Sequence, residues 1–277
     1  MKFQNSFIIK SLLFFAVILA FSACEENEKP ERDWQLIWED EFEGPAGQPP
    51  NSANWVYDVG IGPGNDGWGN DELQYYTDRP ENVSLDGEGN LAIVARAETF
   101  GGAAFTSARI ITQGKFDQAY GRFEARIKMP WGPGIWPAFW MLGSDFQTEG
   151  WPQCGEIDIM EFRGQEPNLI HGSVHGPGYS GGEAVTKSFG LENNRFDKDF
   201  FVYAVEWGED YIDYFVDDEF YFRITPEDLP GEWVYDNPFF ILLNVAVGGN
   251  YVGFPTAQTP FPQTMLVDYV KVFSELK

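Results

Sequence analysis

Three acidic residues stand in one otherwise apolar segment, residues 155–162, as Glu156, Asp158 and Glu161. An unpaired charge in apolar surroundings costs free energy, so acids at these positions call for a chemical reason. Two glutamates with an aspartate between them suit glycosidic bond cleavage, in which one carboxylate attacks the sugar and another carboxyl protonates the leaving oxygen. The alternative is that the acids are merely solvated positions on a strand.

The spacing of these acids predicts an irregular strand. Side chains of a regular strand alternate between its faces, so Glu156 and Asp158 share one face and Glu161 falls on the other. One extra residue near Met160, a β-bulge, would turn Glu161 onto the face of the other two acids. We therefore expect a bulged strand on which the three carboxylates converge.

The elements around this segment are predicted to be strands. Short runs of β-branched and aromatic residues recur between Gly, Pro, Asn and Asp clusters, and no long segment has helical periodicity. In residues 121–128, Phe123, Ala125 and Ile127 alternate with charged or polar neighbours, as in a strand with one buried face. Similar runs occupy residues 91–97, 108–113, 139–142, 170–175, 201–207, 211–216, 220–224, 239–247 and 265–273. The pattern is typical of an all-β sandwich or barrel.

Two glycine-rich loops, residues 60–70 and 176–182, carry aromatic side chains. Such loops commonly form the rim of a binding cleft on a rigid scaffold. Flexible linkers are the alternative, but linkers rarely carry Trp and Tyr.

The chain begins with the features of an export signal. Lys2 and Lys10 precede an apolar run, and the residues leading to Cys24 resemble the lipobox of bacterial lipoproteins. We expect residues 1–23 to be a signal peptide, Cys24 to be lipidated, residues 24–32 to be a tether and residues 33–277 to form one catalytic domain. An uncleaved membrane anchor is the alternative. The expected location is the outer membrane, facing the periplasm or the cell surface, with the lipid as the only membrane contact.

The charge balance limits the partners. The chain has 18 Lys and Arg against 43 Asp and Glu, a formal net charge of -25, which would repel nucleic acid. If Cys24 is lipidated, Cys154 has no partner for a disulfide and is expected to be a packing residue in a monomer.

The acidic segment closely resembles the active-site signature of glycoside hydrolase family 16. The two residues between Asp158 and Glu161 are similar to the laminarinase-like branch of that family. The resemblance continues through residues 38–42, 70–77, 114–116, 120–122, 134–142 and 243–250. It implies a concanavalin-like β-jelly-roll sandwich with a substrate cleft on its concave face. It further implies hydrolysis of internal β-1,3 bonds in laminarin-type or mixed-linkage β-glucans, with retention of configuration.

The resemblance also implies roles for individual residues. Glu156 would be the nucleophile, Glu161 the acid/base and Asp158 the group that tunes the nucleophile, with no cofactor needed for catalysis. Asp268 would bind a structural calcium ion, together with backbone carbonyl groups. The substrate-binding residues would be Asn70, Glu72, Arg109, Trp136, Trp140, Trp151 and His175.

Several alternatives stay open. Trp136 and Trp140 are four residues apart and share a strand face, where the rings could stack on sugars or fill the core. Arg109 could form a surface salt bridge instead. Tyr251 stands where relatives commonly have Trp, and Arg163 where smaller or uncharged residues are frequent. Activity on agar, carrageenan or lichenan, transglycosylation, and a sugar-binding sandwich without catalysis are therefore the rival functions.

Overall fold

The structure is a computed structural model that describes residues 32–276. The predicted signal peptide, Cys24 and the tether up to residue 31 lie outside the described residues. Arg32, the last residue of the predicted tether, contacts the folded domain, where its guanidinium forms ion pairs with Glu206 and Asp213. Within residues 32–276, no helix is both long and apolar enough to span a bilayer.

The fold is built almost entirely from strands. They are β1 (Trp34–Asp40), β2 (Val56–Asp58), β3 (Gln74–Tyr76), β4 (Val83–Leu85), β5 (Leu91–Phe100), β6 (Ala103–Ser107), β7 (Arg109–Ile111), β8 (Gly121–Lys128), β9 (Ile135–Gly143), β10 (Glu156–Glu161), β11 (Leu169–His175), β12 (Val185–Gly190), β13 (Phe201–Gly208), β14 (Tyr211–Val216), β15 (Glu219–Ile224), β16 (Phe239–Val247) and β17 (Gln263–Glu275). The helical segments are short: Gly67–Asp71, Phe146–Glu149, Gly181–Glu183 and Pro226–Asp228.

The strands form two sheets packed face to face, which confirms the predicted jelly-roll sandwich. One sheet has the order β15-β14-β13-β8-β17-β5-β6-β3, with β1 on β17 and β4 on β5. The other has the order β12-β11-β10-β9-β16-β7-β2, so the strand of the three acids lies near its centre. A central strand is held by hydrogen bonds on both sides, so it can keep catalytic groups in fixed positions.

The core lies between the two sheets and follows from alternation. Phe123, Ala125 and Ile127 of β8 are fully buried, as the sequence pattern predicts. In the seven-stranded sheet, Phe139 and Met141 of β9 point into the same core. The opposite face of this sheet, which carries Glu156, Asp158 and Glu161, is hereafter called the open face.

All of the predicted strands are present, several of them longer than predicted. β9 begins at Ile135 rather than Phe139, which places Trp136 and Trp140 on one strand. The sequence did not predict β1, β2, β3, β4, β6 and β12. β12 is an edge strand with charged and polar residues, so its pairing with β11, rather than its composition, makes it a strand. Cys154 is buried with a free thiol, as expected of a packing residue.

Candidate active site

A β-bulge in β10 brings the three acids to one face. On the β9 side, Asp158 pairs with Trp140 and Met160 with Phe139, so Ile159 is the extra residue. The pairing with β11 shifts over the same stretch, between Asp158 and Glu161. Ile159 and Met160 are consecutive, and both side chains are buried in the core. The predicted bulge is confirmed, and it returns Glu161 to the open face beside Glu156 and Asp158.

Glu161 is less exposed to solvent than Glu156. Its carboxylate accepts a hydrogen bond from Trp136 Nε1 at 3.1 Å and one from Ser173 Oγ at 3.4 Å. Burial, followed by the negative charge of Asp158, raises the pKa of Glu161 to about 8. Glu161 therefore keeps its proton at neutral pH.

Glu156 is held by a loop residue. Trp151 Nε1 donates to Glu156 Oε2 at 2.8 Å, although the Trp151 side chain is 44% exposed. Burial raises the pKa of Glu156, while His175 and the Trp151 hydrogen bond act in the opposite direction. The predicted site residue Trp151 therefore lies at the site, where it supports the ionised form of Glu156.

Asp158 and His175 form a close pair beside Glu156. His175 Nε2 lies 3.0 Å from Asp158 Oδ2 and 3.8 Å from Glu156 Oε1. Burial and the charge of Glu156 raise the pKa of Asp158 to about 7. The backbone N–H of Gly181 donates to His175 Nδ1 at 3.1 Å, which in the neutral ring leaves the proton on Nε2. Burial lowers the pKa of His175, but the interactions with Asp158, Glu156 and Glu161 outweigh burial and raise this pKa to about 10, which favours a proton on Nε2. His175 thus lies in ion-pair contact with Asp158 next to the nucleophile.

The surroundings of His175 argue against a metal at this position. Glu156, Asp158 and His175 each offer a ligand atom, and these atoms lie within 4.8 Å of one another. A cation would need a lone pair on Nε2, which in turn requires a proton on Nδ1 facing the N–H of Gly181. The donor set fits ion-pair contacts of His175 with the two acids better than it fits a cation.

Trp140, Asn244 and Tyr76 link the open face to Glu72. Trp140 Nε1 donates to Asn244 Oδ1 at 2.8 Å, and Asn244 Nδ2 donates to Tyr76 Oη at 3.1 Å. The carboxylate of Glu72 accepts from Asn70, Gln74 and Tyr76. Glu72 is thus engaged in positioning its neighbours, and its predicted contact with sugar stays a prediction, as does that of Asn70.

Arg109 lies between two indole rings. Its Cζ is 4.7 Å from the centre of the Trp68 ring and 4.8 Å from that of Trp140. Its Nε is 2.9 Å from Asp58 Oδ2, so the salt bridge considered from the sequence also forms. Arg109 is therefore ion-paired and orders the aromatic side of the open face, while its predicted contact with sugar stays a prediction.

Both glycine-rich loops border this site, as predicted. The first loop supplies Trp68, which covers Arg109, and the second supplies the N–H of Gly181. Sequence reasoning missed Trp68 and Asn244 as site residues. Asn244 offered a signal, since it is the one polar residue in the apolar run 239–247. For Trp68, the only sequence signal was its position in a glycine-rich loop.

Asp268 lies away from the acids, on β17 of the other sheet. Its carboxylate forms an ion pair with Arg126 of β8. In the described part of the chain, it is not gathered with other His, Cys or acidic side chains into a group of three. An oxygen shell there would need backbone carbonyls, as the resemblance implies, and calcium at Asp268 stays a prediction.

Comparison with known proteins agrees with this geometry. The family model described as "Glycosyl hydrolases family 16" matches residues 68–271. A beta-glucanase of Rhodothermus marinus is 43% identical over 251 residues, covering 87% of this chain and 85% of the relative. A glucan endo-1,3-beta-glucosidase of Cryptopygus antarcticus is 36% identical over 256 residues, covering 86% and 88%. The structure of an endo-beta-1,3-glucanase from Pyrococcus furiosus superposes with a TM-score of 0.83 at 47% identity, covering 89% of this chain and 96% of that one.

Proposed function

Because this chain belongs to glycosyl hydrolase family 16, we propose that it hydrolyses internal β-1,3-glucosidic bonds of β-glucans by double displacement. The observation that carries the proposal is the convergence of two glutamates on one face of a bulged strand, where each accepts a hydrogen bond from an indole N–H. Burial raises the pKa of both carboxyls, that of Glu161 to about 8, while His175 and the Trp151 hydrogen bond counter this effect at Glu156. A retaining glycosidase needs one protonated and one ionised carboxyl.

The steps follow from these states. The Glu156 carboxylate attacks the anomeric carbon while Glu161 transfers its proton to the leaving glycosidic oxygen. Glu161, now ionised, removes a proton from water, and that water releases the sugar from Glu156. Asp158 and His175 hold the nucleophile in place through this cycle, because His175 Nε2 lies 3.0 Å from Asp158 and 3.8 Å from Glu156.

An azide rescue experiment tests both roles. Glu156→Gly should lose at least about 10³-fold in turnover of laminarin, because no covalent intermediate can form. With an activated aryl β-laminaribioside, azide should restore turnover and yield the α-glycosyl azide. Glu161→Gly with azide should yield the β-glycosyl azide instead.

The product pattern tests the bond that is cleaved. The wild-type enzyme should release mixed laminari-oligosaccharides from laminarin early in the reaction, as an internal cleavage requires. Preferred cleavage of agar or carrageenan, products longer than the substrate, or binding without reducing ends would contradict the proposal. Identical azide products from both variants would contradict the assignment of roles.

A further inference from the structure

A cluster of side chains beyond Glu161 is not used by the mechanism above. It consists of Arg163, just past the end of β10, and Tyr251, in the loop that follows β16. The steps proposed above give neither side chain a role, so their place beside the site calls for an explanation.

Contacts connect this cluster to the acid/base in three steps. The Arg163 guanidinium lies 4.1 Å from the centre of the Tyr251 ring. The Tyr251 ring lies 5.0 Å from the Trp136 ring, at an interplanar angle of 42°. The Trp136 indole donates its N–H to Glu161 at 3.1 Å. Each contact is between planar groups, whose attraction depends on their mutual orientation.

The loop that carries Tyr251 is tied down on both sides. The N–H of Asn250 donates to the carbonyl of Asn70 at 2.8 Å. The carbonyl of Val252 accepts from Gln165 Nε2 at 3.0 Å. The backbone around Tyr251 therefore has a defined place, from which its ring can support the Trp136 indole.

We propose that Arg163 and Tyr251 are positioning residues for the acid/base: Arg163 holds the Tyr251 ring, and this ring holds Trp136 in the orientation that donates to Glu161. The proposal rests on the function proposed above and adds to it a determinant of leaving-group protonation. It also explains how a tyrosine at position 251 serves the site, since a ring backed by a guanidinium has a fixed orientation.

Electrostatics around Glu161 agree with this geometry. The Trp136 hydrogen bond and the Arg163 charge both lower the pKa of Glu161, against the larger effect of burial. Loss of either contribution should therefore raise this pKa and extend activity to higher pH. Other titratable or charged groups near Glu161 are Glu156 and Asp158 on β10, His171 and His175 on β11, Tyr251 beyond β16 and Tyr214 on β14.

Substrates with different leaving groups separate positioning from mere structural support. Laminarin needs a proton from Glu161 on its glycosidic oxygen, whereas a 2,4-dinitrophenolate leaves without one. Tyr251→Ala and Arg163→Met should lower kcat/KM on laminarin by roughly tenfold, a part of the 10² to 10⁴ that general acid catalysis supplies. The formation of the glycosyl-enzyme from 2,4-dinitrophenyl β-laminaribioside should change by less than about threefold.

Conservative variants identify which property matters. Tyr251→Phe keeps the ring and should behave as wild type, and Arg163→Lys keeps the charge without the planar group and should resemble Arg163→Met. Arg195→Met is the matched control, because Arg195 also lies over an aromatic ring, 5.2 Å from the centre of that of Trp131, but its ion pair is with Asp197 rather than with an acid of the active site. Its kinetics should be those of the wild type.

Three outcomes would overturn the proposal. The first is that Tyr251→Ala and Arg163→Met lose equal activity on laminarin and on the dinitrophenyl substrate. The second is that Tyr251→Ala has wild-type kinetics. The third is that Arg163→Lys has wild-type kinetics although Arg163→Met is defective. Failure of the proposed function would look different, since the wild-type enzyme would then leave laminarin intact.

Discussion

At the scale of single residues, Glu161 shows how function and stability oppose each other. Its carboxyl is buried beside Asp158, and its pKa is raised from the ordinary value of 4.5 to about 8. The folded state therefore binds more protons than the unfolded state between about pH 4.5 and 8, so the stability due to this residue falls as pH rises through that window. The same shift makes Glu161 an acid at neutral pH.

Glu161→Gln should therefore stabilise the protein above about pH 5, and the gain should grow up to about pH 8. A pKa shift of one unit corresponds to about 1.4 kcal/mol. For a domain of this size, each kcal/mol changes the Tm by about 2–4 °C. Thermal unfolding of both proteins at several pH values measures the difference. A gain in Tm that is independent of pH would contradict this account of Glu161.

At the scale of elements, the bulge in β10 sets the separation of the acids. Glu156 pairs with Leu142 and Glu161 with Ala138, so β9 advances by four residues while β10 advances by five. Ile159 therefore adds a side chain to the core without moving the two glutamates apart along the sheet. The register with β9, rather than the number of residues between the acids, fixes their separation.

Two changes of length in β10 test this. Deletion of Ile159 should keep Glu161 on the open face and retain measurable activity, with a loss of about 2–5 kcal/mol in stability from the removed core side chain. Insertion of an alanine between Ile159 and Met160 makes the separation of the two glutamates six residues, so regular alternation keeps Glu161 on the open face but moves it two positions farther along β9 from Glu156, which should abolish activity. Activity on laminarin and urea unfolding report both effects. An active insertion variant beside an inactive deletion variant would refute the argument.

At the scale of the whole molecule, the outer face of the ten-stranded sheet holds a buried ion-pair network. Glu206 and Asp213 are fully buried on neighbouring strands. Arg122 pairs with Glu206 and Arg223 with Asp213, while Arg32 pairs with both acids. The start of the described chain is thus fastened to the face opposite the core, away from the acids of the active site.

Arg32→Met should destabilise the fold, because two buried carboxylates lose a shared cation. We expect a loss of about 1–3 kcal/mol, less than for a pair left without any cation, since Arg122 and Arg223 remain. Activity on laminarin at 25 °C should be unchanged, because the network is remote from the open face. Chemical denaturation measures the loss, and an Arg32→Met protein as stable as the wild type would contradict the prediction.

Local pattern explains why much of the fold was predictable. Phe123, Ala125 and Ile127 alternate with polar residues, and this alternation alone predicts a strand with one buried face. Residues 239–247 are almost entirely apolar, and this composition predicts a buried strand. β12 could not be found in this way, since Thr186, Lys187 and Ser188 are exposed and the strand exists only through its pairing with β11. An edge strand of this kind forms only by pairing with an adjacent strand, and its local sequence does not show which strand that is.

By itself, the sequence determined the acids, their spacing, the need for a bulge and the sandwich around them, because these depend on periodicity and on the cost of buried charge. Only the tertiary structure decided which group each acid meets. Trp136 reaches Glu161, Trp151 reaches Glu156, and Gly181 holds the ring of His175 beside Asp158. The first contact joins residues 25 apart along the chain, and the other two are made by loops that fold back onto their own strands. Burial then sets the ionisation of each carboxyl, which no local pattern specifies.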